Sequence, residues 1–210
     1  MIRVLIADDH AILRRGLIEI LVRELAGATC GEADNAEQLL AQVQSRNWDV
    51  VILDINMPGR SGIDVLGDLK RVRPKLPVLV LSMYPEDQYG KRLLKAGASG
   101  YLNKESAPEE LIKAIRKVLA GGRYVSSGLA EKLALDLNEN AGRPVHETLS
   151  DREFEVLRMI GSGKTVSQVA EELHLSVTTV STYRTRILEK MNMTTTAELI
   201  HYALRNKLVE

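Results

Sequence analysis

Aromatic side chains are scarce in this sequence. Its 210 residues include one Phe and one Trp, so its cores must be assembled from Leu, Ile, Val, Ala and Met. The only cysteine, Cys30, excludes an intrachain disulfide and any multi-cysteine zinc site, and its expected role is that of a small buried strand residue. No apolar stretch reaches the roughly 20 residues that cross a bilayer. Met1 leads straight into a strand-like run rather than a signal peptide, so a cytoplasmic protein with no membrane partner is expected. Excess charge is also missing: 28 Lys and Arg balance 28 Asp and Glu. Residues 148–210 are neutral too, with eight charges of each sign, so overall charge gives no sign of nucleic-acid binding. The distribution does. Arg184, Arg186 and Lys190 cluster with only Glu189 opposing them, whereas Asp151, Glu153, Glu155, Glu171 and Glu172 lie upstream.

The length favours two compact units of roughly 100 residues or less. Over the first 120 residues, short apolar runs at Ile2–Ala7, Ala28–Ala33, Val50–Leu53, Val78–Leu81 and Ser99–Leu102 alternate with helical patterns. Leu13, Leu17, Ile20 and Leu21 form one such pattern; Leu39, Leu40 and Val43 a second; Leu111, Ile112, Ile115, Val118 and Leu119 a third. Pro77 opens the fourth run and Pro58 follows the third, where a missing N–H is tolerated. This alternation predicts an α/β fold, a doubly wound five-stranded parallel sheet. Residues 126–137 predict a short helix capped by Ser126 or Ser127, with Leu129, Leu133 and Leu137 on one side. Asn138–Glu147 reads as a flexible linker. Beyond it the signals are purely helical, with helices expected near 151–161, 165–173, 177–191 and 196–207. Ser150 with Glu153 and Thr165 with Gln168 both fit a capping box.

In an open α/β sheet, ligands bind beyond the carboxyl ends of the strands. Asp8 and Asp9 end the first strand, Asp54 the third, Ser82 the fourth, and Asn103 and Lys104 the fifth. Three carboxylates in one place repel each other unless a cation joins them. Mg²⁺ suits an all-oxygen ligand set and keeps waters that a phosphate can replace. Lys104 would balance an arriving phosphoryl group and Ser82 would offer a hydroxyl. The pattern therefore points to a phosphoryl-acceptor site with Asp54 as nucleophile. A rival reading is a phosphatase or phosphotransferase acting on a small metabolite, but the unit has no cap or insertion to hold one.

The set Asp8-Asp9, Leu-Asp54-Ile-Asn-Met-Pro58-Gly with Gly62, Leu-Ser82 and Gly100-Tyr-Leu-Asn-Lys104 resembles the receiver domains of two-component response regulators. The resemblance spans about residues 1–122 and implies a flavodoxin-like fold. It implies that a histidine kinase phosphorylates Asp54, that Asp9, Asp54 and the Asn56 carbonyl ligate Mg²⁺ with Asp8 in support, and that Ser82 and Tyr101 rearrange as a switch. Such a protein is not a turnover enzyme; its only chemistry is Mg²⁺-dependent phosphorylation and dephosphorylation of itself. This sequence departs from the pattern at Glu105, where many receivers have proline, and at Asn103, where an apolar residue is usual. A third reading, a helix-turn-helix regulator with a vestigial receiver, is weakened because every reactive residue is present.

The run Thr165–Leu173, His174-Leu175-Ser176 and Val177–Met191, with Leu-Ser150-Asp-Arg-Glu153 before it, resembles the LuxR-type helix-turn-helix. Joined to a receiver, it resembles the NarL/FixJ regulators. The implied division is a receiver at 1–122, a linker with a short helix at 123–147, and an all-α DNA-binding domain at 148–210. Val177, Val180, Ile187 and Met191 are expected to form the buried stripe of the second helix. Thr178, Ser181, Thr182, Thr185, Arg186 and Glu189 then face away, a face suited to the major groove of double-stranded promoter DNA. Lys164 and Lys190 are further candidates for phosphate contact. Arg184 falls near the buried stripe, so an ion pair within the scaffold and a phosphate contact are equal expectations for it. Six Ser and Thr among residues 176–185 disfavour helix stability, which argues that contact selected them. A homodimer formed on phosphorylation is expected, through the receiver's first and fifth helices or through the last helix, where Leu199, Ile200 and Leu204 form a short apolar face that core packing explains at least as well for Leu199, and RNA polymerase is a further partner. His10, His146, His174 and His201 show no ligand spacing and are assigned turn, linker or surface roles.

Overall fold

A computed structural model describes residues 1–57, 60, 62–106, 108–138 and 144–209, without the side chains of Asp87, Gln88, Lys132 and residues 134–138. The chain divides into two compact units, Met1–Leu137 and Asn138–Glu210.

In the first unit, strands β1 (Arg3–Ala7), β2 (Thr29–Ala33), β3 (Val50–Asp54), β4 (Val78–Ser82) and β5 (Gly100–Asn103) pair in parallel in the order β2-β1-β3-β4-β5. Helices α1 (Ala11–Glu24), α2 (Ala36–Ser45), α3 (Gly62–Val72), α4 (Glu86–Lys95) and α5 (Pro108–Leu119) connect and follow them. β3 and β4 are buried along their whole length, as strands covered on both faces must be. On one face Val4, Ile6, Val50, Ile52, Leu79 and Leu81 pack with Leu17 and Leu21 of α1 and Leu111, Ile115 and Val118 of α5. Burying each Leu or Ile there contributes about 2 kcal/mol. α5 is locally well specified: it starts on Pro108, has Glu109 and Glu110 in its first turn, and has Arg116 and Lys117 in its last. Proline is pre-organised at that first position, and both sets of charges complement the helix dipole. β2 is an edge strand, so Cys30 is half-buried rather than buried as expected, and burial pushes its thiol up.

After α5 the chain returns to the sheet. Tyr101 N donates to Tyr124 O at 3.1 Å and Tyr124 N to Ser99 O at 2.9 Å, extending the open edge of β5 by a single parallel bridge. α6 (Ser127–Asn138) follows, with Leu129 N donating to Ser126 Oγ at 3.1 Å. It docks on α4: Ser126 N donates to Glu86 Oε1, and Leu129 fills the space over Gly90, where a Cβ would stand 2.6 Å from Leu129 Cδ2. Of the linker expected over 138–147, residues 139–143 lie outside the described residues, as do Pro58 and the side chain of Leu137; the rest is not a free linker, since Asn138 ends α6 and Val145–Thr148 form a 3-10 turn. No cis peptide occurs among the described residues.

The second unit holds a short 3-10 turn (Val145–Thr148) and helices α7 (Asp151–Gly161), α8 (Val166–Glu172), α9 (Val177–Met191) and α10 (Thr196–Arg205). Capping boxes start α7 at Ser150 and Glu153 and α8 at Thr165 and Gln168, as the spacing predicts; a third, at Thr195 and Glu198, starts α10. α7 packs against both α9 and α10, and α8 against α9, around Phe154, Leu157, Ile160, Val169, Val180, Ile187 and Leu199. The turn between α8 and α9 depends on His174, whose φ of 52° is left-handed. That conformation lets His174 N reach Glu171 O and Leu175 N reach Ala170 O, closing α8 before α9 begins. No helix among the described residues is long and apolar enough to cross a membrane.

Candidate phosphoacceptor and nucleic-acid sites

Parallel pairing brings the carboxyl ends of the strands level, with Asp54 opposite Leu81 and Ser82 opposite Asn103. Asp8, Asp54 and Ser82 are nearly fully buried there, at 2%, 1% and 0% exposure. Asp54 Oδ1 accepts from Asn56 N at 2.9 Å, and its Oδ2 accepts from Lys104 Nζ at 2.7 Å. Lys104 N donates to Ser82 O, and Ser82 Oγ accepts from Tyr84 N at 3.1 Å. Tyr101 is buried and donates through its hydroxyl to Tyr84 O at 2.5 Å, while Tyr84 stacks on Tyr89.

Burial pushes the Asp54 carboxyl above its ordinary value, and the hydrogen bond and charge of Lys104 only partly oppose it. Burial pulls Lys104 down, but its close contacts with the Asp54 and Asp8 carboxylates reverse this and hold its ammonium above the usual lysine value. The cation is therefore fixed. Asp8, Asp9, His10 and Asp54 each offer a ligand atom, all within 4.8 Å of one another. Asp8 Oδ2 and Asp9 Oδ1 are buried yet receive no hydrogen bond. Lys104 Nζ and His10 Nδ1 stand 2.7 and 2.8 Å from these two oxygens, but off the hydrogen-bonding direction, so those contacts are ion pairs in distance only. Two orphaned carboxylate oxygens among hard donors fit a divalent metal ion.

In the second unit, α9 exposes Thr178, Ser181, Thr182, Thr185, Arg186 and Glu189 along one side and buries Val180, Ile187 and Met191 along the other. Thr182 and Thr185 hydroxyls donate to the carbonyls of Thr178 and Ser181 at 3.0 and 3.1 Å. Their oxygens keep free lone pairs towards solvent. Arg184 is half-buried and donates to Thr196 Oγ1 at 2.8 Å, a scaffold contact. Lys164 pairs with Glu172, and Lys190 donates to Glu153 at 2.6 Å.

Residues 4–116 match the family model of the response regulator receiver domain, and residues 147–203 that of the luxR family of bacterial regulatory proteins. This chain is a response regulator. It joins a receiver to a LuxR-type helix-turn-helix and belongs with the NarL/FixJ regulators. Response regulator GacA of Pseudomonas aeruginosa is 37% identical over 100% of this chain and 99% of its own length. Response regulator UvrY of Escherichia coli K12 is 34% identical over 99% and 96%. Among solved structures, RcsB from Salmonella enterica serovar Typhimurium, bound to promoter rprA in the presence of phosphomimetic BeF3−, superposes with a TM-score of 0.64. It is 28% identical to this chain, with 96% of this chain and 98% of that one covered.

The structure of this response regulator corrects several expectations. Val177 does not join the buried stripe; in the first turn of α9 it is 51% exposed, because the stripe begins at Val180 where α7 and α8 close over the helix. Of the two readings of Leu199, core packing holds and the dimer surface does not, since α10 turns it into the core at 0% exposure; of the other two candidates Leu204 is exposed and Ile200 half-buried. Sequence reasoning missed three neighbours of the acidic pocket. His10 lies against both Asp8 and Asp9, Arg14 Nη1 donates to Asp8 O at 2.6 Å, and Tyr84 receives the Tyr101 hydroxyl. Only His10, adjacent in sequence to the two aspartates, carried a readable signal. His146 also has a structural partner, its Nδ1 lying 3.0 Å from the Tyr202 hydroxyl.

Proposed function

We propose that Asp54 accepts a phosphoryl group from a cognate histidine kinase and that the phosphorylated protein binds double-stranded promoter DNA to regulate transcription. The observation that carries this reading is the buried Asp54 carboxylate, hydrogen-bonded to Lys104 and grouped with Asp8 and Asp9. Asp8, Asp9, Asp54 and the backbone carbonyl of Asn56 would hold Mg²⁺, which when bound neutralises the carboxylates and the arriving phosphate. A carboxylate oxygen of Asp54 forms the bond to phosphorus as the phosphorus–nitrogen bond of the kinase phosphohistidine breaks. Lys104 then exchanges a carboxylate oxygen for a phosphoryl oxygen and Ser82 donates its hydroxyl to another. Ser82 Oγ accepts from Tyr84 N, and Tyr84 O accepts the Tyr101 hydroxyl, so moving Ser82 disturbs Tyr101; these residues are the switch. The protein's own chemistry is limited to phosphorylation and dephosphorylation at Asp54.

Residues 1–122 serve as the phosphoacceptor domain, with Tyr124 and α6 packed on its edge, the remainder of 123–147 connects, and 148–210 bind DNA. Thr178, Ser181, Thr182, Thr185 and Arg186 read the groove and its phosphates; Lys164, Arg184 and Lys190 act chiefly within the scaffold. A phosphoryl group adds about −1.5 to −2 charges to a protein of net charge zero, so direct electrostatics opposes DNA binding. Phosphorylation therefore acts through domain release, dimerisation, or both, and RcsB has been seen as dimers on DNA. Two recognition helices one DNA turn apart raise affinity without new base contacts. The protein works in the cytoplasm, with RNA polymerase as a further partner. Acetyl phosphate with Mg²⁺ should label the wild-type protein once and leave Asp54→Asn unlabelled; persistent acid-stable labelling of that variant would overturn the assignment.

A further inference from the structure

We propose that the receiver unit carries a second ligand site, a cationic pocket at the amino edge of its sheet that takes a small pyrophosphate-like anion. The pocket encloses about 380 Å³ between the segments preceding β4 and β5 and the segment following α5. It therefore lies at the opposite end of the strands from Asp54. That volume sits near the lower limit of ligand pockets, roughly 300–1,000 Å³, which suits a small molecule rather than a chain.

The lining has one sign of charge. Lys70, Lys75 and Arg123 contribute to it, and no acidic residue does. Gly97, Gly121 and Gly122 form part of the wall, and nothing lies within 4 Å of where a Cβ on Gly121 would stand, so the backbone there is open to close approach by a ligand. The stem of Lys70 lies against Gly97, where an added Cβ would stand 3.0 Å from Lys70 Cγ, and this packing holds the side chain in place. Its ammonium donates to Leu76 O at 2.7 Å, leaving two protons for another acceptor. Burial, and then the charge of Arg123, push Lys70 below the ordinary lysine value. Neither Lys75 nor Arg123 has a carboxylate partner among the described residues.

Basic residues often do no more than offset the carboxyl end of a helix. This role accounts for Lys70, in the last turn of α3, but not for Arg123, which lies beyond α5 and Gly121-Gly122 and confronts another cation. Two unpaired cations beside a partly desolvated third repel one another, and a bound anion removes that repulsion. A ligand with two linked phosphates carries enough charge to engage three cations that line one pocket.

The test is an amide-resolved NMR titration of the full-length protein with inorganic pyrophosphate, in metal-free buffer at fixed ionic strength. Without metal, the carboxylate cluster at the other edge repels the probe. Saturable shifts are expected at Gly97, Gly121 and Gly122. Arg123→Gln should weaken binding about tenfold, the loss of one charge-assisted contact. Arg71→Gln removes an α3 cation that pairs with Asp68 outside the pocket, and should leave binding unchanged. Shifts that rise linearly without saturation, or equal weakening by the two variants, would overturn the proposal.

Discussion

Lys190, near the end of the second helix of the helix-turn-helix, donates to Glu153 Oε2 at 2.6 Å, and the same oxygen accepts from Ser150 N at 2.7 Å. One carboxylate thus closes the capping box of α7 and ties it to α9. Burial alone would raise the Glu153 carboxyl; the hydrogen bonds from Lys190 and Ser150 and the Lys190 charge overcome this and hold it below the ordinary glutamate value. Because the folded pKa lies below the unfolded one, the stabilisation is complete above the unfolded value and is lost as pH falls through the folded value. Protection factors of the α7 and α9 amides, corrected for the intrinsic exchange rate at each pH, should therefore fall on acidification in the wild-type protein. Glu153→Gln should be about 2 kcal/mol less stable at neutral pH and show a flatter acid response.

The same contact separates Lys190 from Arg186. Arg186 is exposed and makes no scaffold hydrogen bond among the described residues, so Arg186→Ala should lower DNA affinity on every sequence and reduce the salt slope by about one. Lys190→Ala should mainly lower the stability of the second unit and change the salt slope less. Binding isotherms at several salt concentrations, beside urea unfolding, distinguish the two.

Thr182 and Thr185 spend their hydroxyl protons on carbonyls one turn back, leaving their oxygens as acceptors on the exposed face. Such oxygens complement amino groups of adenine or cytosine. Thr182→Ala and Thr185→Ala should each weaken specific binding by about 1 kcal/mol and spare non-specific binding. Equal losses on operator and random DNA would exclude base reading by these residues.

Lys104 is the cation facing Asp54 and Asp8, at 7% side-chain exposure. Lys104→Ala leaves the buried carboxylates without it and should destabilise the first unit by about 3 kcal/mol in metal-free buffer. Millimolar Mg²⁺ should restore part of that stability, and more of it than Mg²⁺ adds to the wild type. Urea midpoints with and without the metal measure both effects.

Much of this was determined by the sequence itself. Short apolar runs and helical patterns place five strands and most helices because burial on one or both faces leaves a trace along the chain, and Ser150–Glu153 and Thr165–Gln168 show their caps because capping is a local interaction three residues long. Asp8, Asp9, Asp54, Ser82 and Lys104 could be grouped in advance, since parallel strands must end together. Only tertiary structure decided what depends on a distant partner. Lys190 meets Glu153 across 37 residues, Arg184 meets Thr196, Leu199 turns inward and Val177 outward, and Arg123 meets Lys70 beside a pocket built from three separate segments. A helical angle fixes which side of α9 or α10 a residue occupies, but the neighbouring helices determine where burial begins and which charges find partners.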